Sequence, residues 1–215
     1  MGRQTLQANP NTNRDPNKRR TQSPSIPLIP QETKQLQLSK EVIWVATEMC
    51  LAHNVLILNL NAIYLQCEQV TQPKDVADFL IFCQASIEEM RTHHEMEEKS
   101  FFPWIAEYTG EKDIMTANLE QHHAFEGALK KLEEYLYAAT PKVYDGKRVK
   151  KLLEDFAVEL VPHLNDEIPT LLALEKYGGK QLGVVYERFN KQILSSVKNK
   201  VRALLPNPPP PPHFL

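Results

Sequence analysis

Four histidines, His53, His93, His122 and His163, fall one each on four successive stretches with helical spacing. Glu97, Glu126 and Glu167 each follow one of them by four residues. Residues four apart share a helix face. Each His-x-x-x-Glu pair therefore turns an imidazole and a carboxylate the same way, toward the apolar side of its helix. An unpaired buried carboxylate costs several kcal/mol, and three in one core would repel each other. A pair of divalent cations supplies the compensating charge. Nitrogen and oxygen donors converging from several helices are the material of a binuclear metal site. A carboxylate can bridge two ions, whereas an imidazole binds one and keeps its second nitrogen for another partner. Glu97 and Glu167 are thus bridging candidates, the four histidines terminal ligands, and Glu126 an extra ligand.

Two neighbours compete with these assignments. His94 and Glu98 have the same spacing as His93 and Glu97, one residue round the helix. The stripe through Met90 and Phe101 favours 93 and 97. His123 competes with His122 in the same way, and the stripe from Leu119 to Leu129 favours His122. His213 lies among prolines and is left out of the site.

The elements that must position these residues follow from the apolar period. Stripes with steps of three and four run through Met49, His53, Leu56, Leu60, Ile63 and Cys67, and then Phe79, Cys83, Met90, His93, Glu97 and Phe101. A third follows Met115, Leu119, His122, Glu126, Leu129, Leu132 and Leu136, and a fourth Leu152, Phe156, Leu160, His163, Glu167, Leu171 and Leu174. Ser39, Pro73, Gly110, Pro141, Asp145-Gly146 and Gly178-Gly179 punctuate them. Pro162 removes a backbone hydrogen bond just before His163: it either simply kinks or breaks the helix, or bends it so that His163 and Glu167 face the metal pair. No segment alternates with period two. Short connections make successive helices antiparallel neighbours, so the expected fold is all-α, an up-down-up-down four-helix bundle. A further C-terminal helix from about Val184 is expected along its outside. The expected division is a disordered basic arm over 1–35, the bundle over 36–203 and a proline-rich tail over 204–215.

The arm carries six basic and two acidic residues and almost no aliphatic cluster, so it cannot bury enough to order itself. The whole chain has a formal net charge of −2, which gives no electrostatic case for nucleic acid or an anionic membrane. No unbroken apolar run reaches the ~18 residues of a membrane span, and the first residues lack the apolar core of a secretion signal. Three cysteines, an odd number without paired spacing, read as free thiols of a reducing compartment. The expected location is the cytoplasm. There is no glycine-rich phosphate loop, nucleophile elbow or cysteine-type zinc spacing.

His53-Asn54, Asn61-Ala62-Ile63-Tyr64, His93-His94-Glu95-Met96-Glu97-Glu98 leading to Phe102-Pro103, Glu120-Gln121-His122, and His163-Leu164 with Glu167 together resemble the hemerythrin-like (HHE cation-binding) domain. The resemblance spans about residues 40–175. It implies a non-haem di-iron centre inside the bundle: two iron ions (Fe2+/Fe3+), oxo- or hydroxo-bridged and carboxylate-bridged, that bind O2 or a related small ligand. Oxygen-carrying members have two histidines four apart on the third helix, where this chain has His122 and Glu126. They also carry an Asp one residue beyond the position of Glu167. A set richer in carboxylate and poorer in histidine favours the higher oxidation state of iron. Sensing, storage or iron handling is therefore expected rather than oxygen carriage. A di-iron oxidase or oxygenase acting on an organic substrate, and a metal-free helical interaction module, are the competing readings. Whether the protein turns over a substrate is left open.

Overall fold

A computed structural model of the chain describes residues 38–204, without the side chains of 197 and 199–204. The expected basic arm and, from residue 205 on, the expected proline-rich tail lie outside the described residues. The described chain is helical throughout, with α1 (Lys40–Gln66), α2 (Pro73–Met96), α3 (Phe102–Thr109), α4 (Thr116–Ala138), α5 (Gly146–Ala173) and α6 (Gly179–Leu204). A π-helical turn, Glu97–Phe101, joins α2 to α3 without a break. Among the described residues there is no strand, and the expected bundle is found.

Local chemistry sets the helix ends. Ser39 caps α1 through its hydroxyl, which accepts from the Val42 N–H, and its own N–H and O–H donate to Glu175 at 2.8 and 2.7 Å. Asp145 caps α5 by accepting from the N–H groups of Lys147 and Arg148. Gly110 closes α3 at φ +74°, a left-handed conformation that glycine adopts without strain. Neither Pro162 nor Pro169 ends α5, which stays helical through both.

In the bundle α1 packs between α2 and α5, and α4 also packs between α2 and α5 on the opposite side. Two apolar clusters fill it. The first includes Ile63, Cys83, Met90, Phe125, Leu132, Leu136, Phe156 and Leu160. The second includes Val45, Met49, Phe101, Ile105, Ile168, Leu171, Tyr186 and Phe189. α1 and α5 cross from one cluster to the other, α2 and α4 reach the second through the adjoining Phe101 and Met115, and the buried polar residues lie at the crossing. His53 falls between Met49 and Leu56, His122 between Met115 and Phe125, and His163 follows Leu160. The polar layer is therefore sandwiched between two dry ones.

The C-terminal helix does more than lie along the outside, as the sequence had suggested. Leu182, Val185, Tyr186 and Phe189 of α6 are buried in the second cluster against α1 and the π turn. They close the end of the bundle nearest the polar layer. Gly179 permits the close start of this helix, since a Cβ there would meet Ser39 Oγ at 1.8 Å.

The expectation that nothing in the chain is apolar enough to span a membrane needs correction. By length and composition alone, α1 is. Asparagines at 54, 59 and 61 interrupt its apolar run, yet residues 49–66 contain no Asp, Glu, Lys or Arg. One face of α1 is core and carries His53, while Leu51, Val55, Leu58 and Leu65 are exposed on the other.

Candidate metal centre

Five imidazoles and two carboxylates meet in the polar layer. His53, His163, Glu97 and Glu167 are fully buried, His122 and His94 nearly so, and the His93 side chain is 11% exposed. The sequence had posed His93 against His94, but the fold brings both in. The buried stripe of α2 runs 83, 87, 90, 94, 97, 101, steps of four and three that pass through His94. His93 sits about 100° round the helix, at the stripe's edge. It faces His53 of α1 (ring centroids 5.3 Å), while His94 faces His122 of α4 (4.6 Å) and His163 of α5 (5.2 Å). Adjacent residues thus straddle the inward direction and serve two sides of the layer.

Glu126 is the corrected residue. It was expected on the inward stripe of α4, but it is exposed on the rim of a surface basin that reaches His122. The buried stripe takes the three-residue step from His122 to Phe125, giving 118, 122, 125, 129, 132, 136. A fifth imidazole, His94, supplies what Glu126 does not. The inner set is therefore richer in histidine and poorer in carboxylate than the sequence suggested.

The donor atoms fall into two groups that could each hold an ion. One is His94, Glu97, His122 and His163; the other is His53, His93 and Glu97. Glu97 belongs to both. Its Oε1 lies 3.1 Å from His93 Nε2 and its Oε2 3.7 Å from His122 Nε2, so its two oxygens face opposite groups. Glu167 adjoins the second group, 3.2 Å from His53 Nε2.

The outer nitrogens fix the tautomers. His53 Nδ1 lies 2.9 Å from the Leu164 carbonyl, and His122 Nδ1 lies 2.8 Å from Glu98 Oε1. His163 Nδ1 is 3.4 Å from Gln121 Oε1, whose orientation is fixed because Gln121 Nε2 donates to Asp166 at 2.8 Å. All three partners are acceptors, so all three Nδ1 atoms carry the hydrogen. Every Nε2 of the three then presents a lone pair inward. His122 Nε2 and His163 Nε2 are only 3.1 Å apart, two lone pairs facing each other.

Such an arrangement asks for a cation. Two donors ~2.1 Å from one ion and at right angles are about 3.0 Å apart, close to the 3.1–3.2 Å separations of the His122–His163, His93–Glu97 and His53–Glu167 pairs. His53 Nε2, His93 Nε2, both His94 nitrogens and all four oxygens of Glu97 and Glu167 are buried without a hydrogen bond. Orphaned buried groups of this kind are costly. Burial, then neighbouring imidazoles, holds His93 and His94 well below the usual histidine range and pushes His163 down to about 2. Burial lowers His122 as well. Burial first, then the charges of Glu167 and Glu98, raises Glu97 well above the usual carboxylate range. Neutral imidazoles are the metal-binding form, and a carboxyl so raised shows how strongly the pocket wants positive charge.

The π turn helps build the site. The Phe102 N–H reaches the Glu97 carbonyl five residues back, adding one residue to the turn that carries Glu97. Pro103, which lacks an N–H, follows directly and donates no bond back into the turn.

Residues 47–174 match the hemerythrin HHE cation binding domain. The chain belongs to that family, and its buried cluster is suited to metal binding. It is also similar to the dimeric xanthone biosynthesis cluster protein R11 of Cryptosporiopsis sp. (strain 8999), with 39% identity over 168 residues. That match covers 78% of this chain and 64% of the relative, so the chain spans just under two thirds of the relative's length. No solved structure matches the chain.

Proposed function

We propose that the polar layer holds two iron ions and binds O2 or a related small ligand, in a sensing, storage or iron-handling role; with five histidines and two carboxylates inside, the donor balance no longer weighs against reversible binding. The observation that carries this reading is Glu97, a fully buried carboxylate whose two oxygens face two separate donor groups. Donor chemistry alone admits zinc or manganese, and iron is assigned from membership of the family. An iron pair supplies two redox-active centres at which a small ligand can bind. With two carboxylates inside, two divalent ions leave two positive charges over, which favours a bridging anion or an anionic form of the ligand.

The protein's own groups hold and insulate the pair. Glu98, Gln121 and the Leu164 carbonyl fix His122, His163 and His53 through their Nδ1 atoms. The apolar clusters on either side exclude bulk water. The burial of eight donor atoms without hydrogen bonds speaks against the metal-free interaction module.

A second reading, oxidation of an organic substrate, is favoured by the relative's name, which places that protein in a biosynthesis cluster. Anaerobic iron loading followed by optical and Mössbauer spectra, before and after O2, separates the readings. Two coupled irons per chain with reversible spectral change on O2 supports ligand binding. Irreversible oxidation that becomes catalytic when an organic substrate is added supports the second reading. Fewer than about one iron per two chains would overturn both.

A further inference from the structure

We infer that the cleft between α1 and α2 binds an uncharged, largely apolar organic molecule, and that this molecule meets the centre at His93. The inference rests on the metal centre proposed above and names what that centre receives.

The cleft is a cavity of about 540 Å³ with Ala52, Val55 and Leu56 on one side, Ala85 and Met96 on the other, and Ile193 of α6 across one end. Its size lies within the ~300–1,000 Å³ of small-molecule sites. Small side chains at 52 and 85 leave the space, and the wall is mostly apolar in area, with Thr92 next to His93. His93 is part of that wall. Its side chain is 11% exposed, whereas no other candidate ligand in the layer exceeds 4%. The cleft is thus the place where the donor set comes nearest to the outside.

Charge at the mouth narrows the occupant. Glu88 and Glu89 stand there, Glu88 paired with Arg91 and Glu89 accepting from Asn59 Nδ2 at 3.0 Å. Carboxylates beside an apolar slot repel an anion, which would also lose its hydration on entry. The basin on the opposite side of α2 differs. It reaches His94 and His122 past Phe125 and Leu129, but is ringed by Arg91, Glu95, Glu98, Glu126, Lys130 and Glu133, a rim that suits water and ions better than an apolar molecule.

The test uses 2-naphthol as a neutral two-ring probe and 2-naphthalenesulfonate as its anionic counterpart. Both are titrated by calorimetry into the full chain, iron-loaded and metal-free, with iron measured separately. Saturable binding of one 2-naphthol per chain is expected, weakened at least about tenfold in Ala85→Phe and in Ala52→Leu. These fill the slot from opposite helices, and Ala85 is exposed enough for the larger ring to be accommodated. The sulfonate is expected to bind at least about tenfold more weakly than the naphthol. No saturable binding, equal binding by both filled variants with unchanged circular dichroism, or equal affinity for the two probes overturns the inference. Iron absent with slot-dependent binding intact overturns the metal reading alone. Iron present with no slot-dependent binding overturns the cleft alone.

Discussion

The two donor groups share one glutamate and differ in almost everything else. His94, His122 and His163 come from three helices, face one another beneath the charged surface basin, and are joined by a single carboxylate, Glu97. His53 and His93 come from α1 and α2, have Glu167 as a second carboxylate beside them, and lie against the apolar cleft. Three neutral imidazoles with one carboxylate make a softer, less anionic position. Two imidazoles with two carboxylates make a harder one that tolerates a more highly charged ion. The lesson is a division of labour within one layer, with a position beneath a charged basin and a position within reach of the apolar cleft, held together by Glu97.

Breaking the shared residue has the largest expected effect. Glu97→Ala removes a donor from both groups, and metal content measured by plasma emission is expected to fall from two ions per chain to almost none. His163→Ala and Glu167→Ala sharpen the comparison, since each strikes one group. Each is expected to leave about one ion per chain, with different spectra for the ion that remains. Equal loss of both ions in either variant would show that the groups do not act as separate positions.

The supporting shell comes next. Glu98→Leu and Gln121→Leu release His122 and His163 from their outer partners and are expected to weaken metal binding at the three-histidine position by about 10–100-fold. Competition with a chromophoric chelator measures it. For metal-free protein the sign of the pH effect follows from the depressed imidazoles. Burial, with neighbouring imidazoles, lowers His93, His94 and His163, and burial lowers His122. Below pH ~6.5 the unfolded chain takes protons that the folded one refuses, so stability falls with pH by on the order of 1 kcal/mol per unit for each such histidine. The raised Glu97 acts the other way, since its folded form keeps a proton that the unfolded form loses above the ordinary carboxylate range. It offsets only part of four histidines. Urea midpoints from pH 7.5 down to 5 are expected to drop for metal-free wild type. The smallest effect is reserved for Glu126→Ala, which lies outside the layer and is expected to leave metal content unchanged.

Much of this was legible in the sequence. The period of three and four placed the helices, and His53, Glu97, His163 and Glu167 stand on the buried faces where the spacing put them. The errors were of one residue round a helix. An apolar stripe is about 100° wide, and neighbouring residues are about 100° apart, so a polar residue at its edge can fall on either side. At 126 the stripe turned away, because Phe125 completes the alternation of steps from Asn118 to Leu136. At 93 and 94 both neighbours faced in. The same alternation from Cys83 to Phe101 runs through His94, and it was the signal that could have recovered it. The π turn and the covering role of α6 were not legible. Both depend on contacts between distant segments, such as Tyr186 edge-on to Trp44 and Phe189 stacked on Phe101.

Iron stoichiometry with Mössbauer spectroscopy, on wild type and Glu97→Ala loaded side by side, tests the centre most directly. The account expects two irons per wild-type chain, magnetically coupled and in two distinct environments that match the unequal donor groups, and almost no bound iron in the variant. A single iron environment, uncoupled sites, or a Glu97→Ala protein that still holds two irons would contradict it.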